Sequence, residues 1–139
     1  MKFGKALDDI CPNCRYDVKF REGQKPLYEE FKSYNTETWG KIANDKGFIK
    51  QFESYLQGVN KIEDLAYVIN SNKANINEVK QAFKELFKNK KDELFEIILK
   101  NNTLKNNLLG EGLTKSEAKN VFGDLINSTD SVLYNFIKF

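Results

Sequence analysis

An all-α fold is what this sequence predicts: an irregular bundle of six to seven short helices carrying a small N-terminal Cys-x-x-Cys leader. Three observations predict it. After Pro26, apolar residues recur at spacings of three and four almost to the end of the chain, the signature of helices with one buried face. The connections between these stripes are short and rich in Asn, Ser and Gly. The 11 Phe, 6 Tyr and one Trp supply enough bulk for one core in 139 residues, and no period of 20–50 residues suggests a solenoid.

Taken in order, Tyr16, Val18 and Phe20 alternate with Asp17, Lys19 and Arg21, the period-two pattern of a short half-exposed strand. Gly23 and Pro26 then mark a boundary, dividing a leader of residues 1–25 from a helical domain of residues 26–139. Leu27 and Phe31, four apart, predict a first short helix, and Trp39, Ile42 and Ala43 a second turn. Phe48, Ile49, Phe52, Tyr55, Leu56 and Val59 predict an amphipathic helix ending near Gly58. Ile62, Leu65, Ala66 and Ile69 predict another. Ile76, Val79, Ala82, Phe83, Leu86 and Phe87 form the clearest stripe, and Leu94 to Leu99 is nearly all apolar, as expected at the centre of a core. Thr114-Lys115-Ser116-Glu117 has capping-box spacing ahead of Ala118, Val121, Phe122, Leu125 and Ile126. Ser128 to Asp130 then caps an expected last helix with Val132, Leu133, Phe136 and Ile137.

Charge narrows the function. The net charge is +2, from 22 basic and 20 acidic residues, far from that of a protein that coats nucleic acid. Twenty of the basic residues are Lys and two are Arg, whereas bidentate base and phosphate contacts favour Arg. The Lys and Asn excess fits an AT-rich bacterial or phage genome. Histidine is absent, which removes the commonest general base and metal ligand. No apolar run approaches the ~20 residues that a membrane-spanning helix needs, and the start of the chain turns acidic at Asp8 and Asp9 where a secretory signal would be apolar. A cytoplasmic protein that does not engage membranes is expected.

Cys11-Pro12-Asn13-Cys14 holds both cysteines of the chain. The spacing suits a zinc knuckle, whose turn aims two thiolates at one ion, and equally a redox dithiol, a structural disulfide or two free thiols. Ile10 to Arg15 resembles one half of a zinc ribbon, with Tyr16 to Arg21 as its following strand. The other half is missing, so zinc at Cys11 and Cys14 implies sharing with a partner or with a second chain, as in the zinc hook of coiled-coil ATPases, and hence a homodimer through the knuckle. Thioredoxin-like proteins also carry Cys-Pro-x-Cys, but at the end of a buried strand that opens a helix, and here only ten residues precede Cys11. No cofactor is assigned beyond this zinc alternative.

Lys80, Lys84, Lys88 and Lys91 recur at four, four and three residues, one basic edge on a continuous helix. Gly110-Glu111-Gly112 reads as a helix–helix turn, since the Gly-Lys-Ser/Thr ending of a phosphate loop is missing. Adjacent acids such as Glu29/Glu30 or Asp92/Glu93 point to different sides of a helix and form no ready acid–base pair. The function these features favour is non-enzymatic: a small helical adaptor, inhibitor or immunity/anti-defence-type protein that binds another protein, its tyrosines supplying interface anchors. The alternative is a nucleic-acid-binding regulator that uses the Cys knuckle with Arg15, Lys19 and Arg21, together with the Lys80–Lys91 edge.

Overall fold

Leu65-Ala66-Tyr67-Val68-Ile69 is apolar at every position, and it forms a strand where a helix was expected. The computed structural model describes Val18–Lys19 and residues 27–138. The described elements are β1 (Val18–Lys19), β2 (Tyr28–Lys32), α1 (Thr36–Trp39), a 3-10 turn at Ile42–Asn44 and α2 (Lys46–Gly58). A second 3-10 turn (Ile62–Asp64) leads into β3 (Leu65–Ile69) and is followed by α3 (Ile76–Asn89), α4 (Lys91–Lys100), α5 (Asn102–Leu108) and α6 (Lys115–Asn127). A third 3-10 turn (Val132–Tyr134) precedes β4 (Ile137–Lys138). The described chain is mostly helical, with six α-helices, but a sheet of order β1-β2-β3-β4 runs through it.

The all-α expectation is therefore corrected at three places. Leu27 and Phe31 belong to a strand region, Leu65 to Ile69 form β3, and the expected last helix is a 3-10 turn followed by β4. β2 and β3 are parallel, from Tyr28 opposite Leu65 to Lys32 opposite Ile69, and β4 continues the parallel order with Ile137 opposite Tyr67. β1 alone is antiparallel, Val18 opposite Glu29. Parallel neighbours require long crossovers, which α1 and α2 supply between β2 and β3, and α3 to α6 between β3 and β4.

Alternation along the strands sends Tyr28, Glu30 and Lys32, with Leu65, Tyr67 and Ile69, to one side of the sheet. There they meet α2 and α3 in an aromatic core. Tyr67 lies edge-on to Phe48, Phe52 and Phe83 with ring centroids 5.7, 5.9 and 5.7 Å away, and Phe83 meets Phe136 at 4.8 Å. Such edge-to-face pairs add to the area they bury. The other side of the sheet carries Glu29, Phe31, Ala66 and Val68, and Phe31 is 54% exposed.

Caps define the helix starts. Asp45 accepts from Phe48 N at 3.1 Å, Asn75 from Asn77 N at 2.8 Å, and Thr114 and Glu117 bond each other's backbone N–H in the expected capping box. Gly110 and Gly112, at φ of 120° and 72°, make the turn between α5 and α6 as a helix–helix connection, and both conformations favour glycine.

Candidate functional site

Cys11, Cys14, Arg15 and Arg21 lie outside the described residues. Lys19 is in β1, opposite Tyr28. Lys80, Lys84 and Lys88 follow one another along one flank of α3, beside buried Val79, Phe83 and Phe87. None of the three forms an ion pair with a described residue. The fourth member of the row is separated from them: α3 ends at Asn89, and Lys91 opens α4. Its Nζ stands 2.9 Å from the place a Cβ would take on Gly123 of α6, so the lysine covers that glycine.

Beside the lysine row, α3 also carries two carboxylates, Glu78 and Glu85. Glu78, Gln81 and Glu85, with Asn77 and Ala82, face Thr36 and Gly40 of the α1 region across an open groove of about 380 Å³. A heptad spacing places Glu78 and Glu85 on one side of the helix with Gln81 and Ala82 between them. Gly40 has a φ of −61° and a ψ of −12°, ordinary right-handed backbone. A Cβ there would meet only the Glu37 and Thr36 carbonyl oxygens, at 3.4 and 3.6 Å. Neither conformation nor crowding requires glycine at this position, and its lack of a side chain leaves the groove open.

A polar network lies under the sheet, away from the groove. Glu30 is 5% exposed; the Tyr55 hydroxyl donates to its Oε2 at 2.7 Å, and Lys32 Nζ stands 3.2 Å from Oε1. The same ammonium lies 5.5 and 5.8 Å from the ring centroids of Tyr34 and Phe48, a cation–π arrangement. Tyr67, opposite Glu30 in the strand register, has a buried hydroxyl without a hydrogen-bond partner among the described residues. Burial first, then the Glu30 charge and Tyr34, hold that hydroxyl well above the usual tyrosine pKa.

A second acidic contact joins α2 to α4. Burial, a hydrogen bond to Glu93 and the Glu93 charge raise Glu53 from 4.5 to about 7, against the opposing pull of Lys90. Glu53 Oε2 is buried and unpartnered among the described residues when both carboxylates are acceptors. A proton on one of them converts the repulsion into the hydrogen bond.

Two other hollows are lined by committed side chains. One of about 370 Å³ is lined by Gln57, Ile97, Lys100 and Asn101, but Asn101 Nδ2 already donates to Leu56 O and Val59 O at 2.8 and 2.7 Å. One of about 180 Å³ includes Glu63 and Asn107, and Asn107 Nδ2 donates to Asn60 O. The tyrosines expected as interface anchors are mainly core: Tyr28, Tyr55, Tyr67 and Tyr134 are buried and Tyr34 is half-buried, while Tyr16 lies outside the described residues. The sequence pattern singles out the lysine row and neither Glu78 nor Glu85. The heptad between Glu78 and Glu85 was the available signal; the groove itself depends on where α1 docks.

No family model matches the chain, and neither a curated protein nor a solved structure shows significant similarity to it. Among the described residues, no helix is long and apolar enough to cross a membrane.

Proposed function

We propose that the chain is a non-enzymatic protein-binding module, a small cytoplasmic adaptor, inhibitor or immunity-type protein of bacterial or phage origin. The observation that carries this reading is the groove between α1 and α3. It is open, floored by Gly40 and Ala82, and its two carboxylates stand two helical turns apart, about 10 Å along the axis. That separation suits recognition of two points on a partner better than the short-range proton transfer of acid–base catalysis. A photo-crosslinker at Gln81, introduced into the native host, tests it. One macromolecular partner should be recovered from this site and lost when Gly40→Trp fills the groove. Crosslinking equal to that from the exposed Lys50 position would count against the reading.

The alternative as a nucleic-acid-binding regulator draws support from Lys80, Lys84 and Lys88, which present three charges along one helix flank. Binding through them should weaken as salt rises from about 50 to 200 mM, by roughly one unit of log–log slope per contacted phosphate. Cys11 and Cys14, the knuckle of this alternative, lie outside the described residues. A zinc shared between two chains through them would show as a solution mass that halves with a chelator, and a mass of one chain in both cases would count against it.

A further inference from the structure

We propose, independently of the protein-binding reading, that Glu53 of α2 and Glu93 of α4 form a proton-operated clasp: one proton held between their carboxyls keeps the first turn of α4 against α2, and its release to solvent lets that turn open at Lys90. Little else ties the turn to α2. Lys90 is the single residue between α3 and α4, its φ of −117° and ψ of 24° lie outside helical backbone, and no side chain caps the start of α4. Lys91 puts a cation at the positive end of the helix dipole. The buried anchors of α4 are Leu94, Phe95 and Ile98, all beyond this turn, whereas Asp92 and Glu93 are exposed. Lys91 and Asp92 turn toward α6, where Lys91 covers Gly123 and Asp92 reaches Lys119 at 3.2 Å in an exposed pair that contributes little. Glu93 is left as the tie to α2.

The geometry gives the pair two states. With one carboxyl protonated, its O–H donates to the other carboxylate across the seam. With the proton gone to water, two acceptors face each other, and Glu53 Oε2 is buried without a hydrogen-bond partner among the described residues. Moving the exposed first turn of α4 relieves that repulsion, because α2 is fixed by buried Phe52, Tyr55 and Leu56. The charges that reach Glu53 are Glu93 and Lys90, and only Lys90 opposes the proton. The 3-10 turn Ile42–Asn44, also packed on α2, has no titratable side chain, and Glu30 and Tyr67 meet α2 on the side of Phe48, Phe52 and Tyr55. One turn further along both helices, Gln57 and Ile97 line an open hollow, so packing does not clamp the seam there. Opening returns Glu53 from about 7 toward its ordinary 4.5; the open form therefore gains as pH rises between these values and levels off above them.

Amide hydrogen exchange on the full chain tests the clasp. The N–H groups of residues 94–97 donate to the carbonyls of residues 90–93, Leu94 N to Lys90 O at 2.9 Å, so they report the opening of the first turn. In low urea their exchange, corrected for intrinsic rates, should proceed through an opening insensitive to urea, unlike the global unfolding that Phe122 and Ile126 of α6 report. That opening should become about tenfold more populated between about pH 5 and about pH 8, solvent having screened the rest of the effect. Glu53→Gln, whose amide donates to Glu93 at either pH, should hold the opening at its low-pH level throughout. Glu93→Gln places the donor on the other side of the seam and should remove most of the rise, which keeps the test sharp if the first variant disturbs packing. Exchange of residues 94–97 with the urea dependence of α6 would overturn the clasp, since the proton would then act on the whole fold. An opening that does not change with pH, or one that rises equally in both Gln variants, would overturn it as well.

Discussion

At the seam between β2 and α2, Glu30 is 5% exposed, accepts the Tyr55 hydroxyl at 2.7 Å and pairs with Lys32 at 3.2 Å. At the seam between α2 and α4, Glu53 is only half-buried, yet it faces Glu93 and is pushed up to about 7. The deeper carboxylate is the better satisfied one. A cation and a hydroxyl face the buried carboxylate at Glu30, whereas at Glu53 burial, the largest cause, and then a second carboxylate both favour the protonated form.

The comparison is broken most severely by removing the cation at the first seam. Lys32→Met leaves Glu30 buried beside only its remaining donors, and urea unfolding at pH 7 should show a loss of about 3 kcal/mol; a loss below about 0.5 kcal/mol would mean that Lys32 contributes no more than a surface pair. Tyr55→Phe removes one charge-assisted hydrogen bond, and about 2 kcal/mol should go with it. The second seam runs in the other direction. Because folding raises the pKa of Glu53 above its ordinary 4.5, the folded chain keeps a proton that the unfolded chain releases. Stability should therefore fall as pH rises from about 4.5 to about 7 and level off above that. Glu53→Gln should flatten this slope and gain on the order of 1 kcal/mol at pH 8, water reaching the group having screened most of the effect. Denaturation curves at pH 4 and pH 8 separate the two cases, since an equal gain at both would point to packing instead. The gentlest change is Glu93→Gln. In an NMR titration the Glu53 pKa should move down from about 7 yet stay above 4.5, because burial, its largest cause, remains; no movement would place Glu93 out of contact.

The same first seam explains where sequence reading and structure part. β2 sends Tyr28, Glu30 and Lys32 inward and leaves Phe31 54% exposed, so its polar and apolar residues are arranged against the usual strand pattern. Leu27 and Phe31, four apart, then imitate a helix. β3 is buried on both sides along most of its length, which gives a continuous apolar run with no period to distinguish strand from helix. Helices with one wet face were legible in detail: the α2 and α3 stripes and the Thr114–Glu117 box stand where the periodicity and capping rules place them. Of the candidate site, the Lys80–Lys84–Lys88 row was visible because it lies within one helix. The separation of Lys91 turns on the break at Lys90, and the groove on the docking of α1, neither of which a local pattern encodes.

The parallel pairing on both sides of β3 also governs the order in which the chain can assemble. Tyr67 N–H donates to Phe136 O at 2.7 Å, and the Phe136 ring fills the space among Phe52, Phe83 and Phe87. These partners are separated by roughly 70 residues of intervening chain, a closure whose entropy must be spent before the central contacts return anything. Individual helices can flicker into existence early, while the contacts around Phe136 wait for that distant strand. Acquisition of the native state should consequently be slower than in a bundle of similar helical content built from neighbouring hairpins.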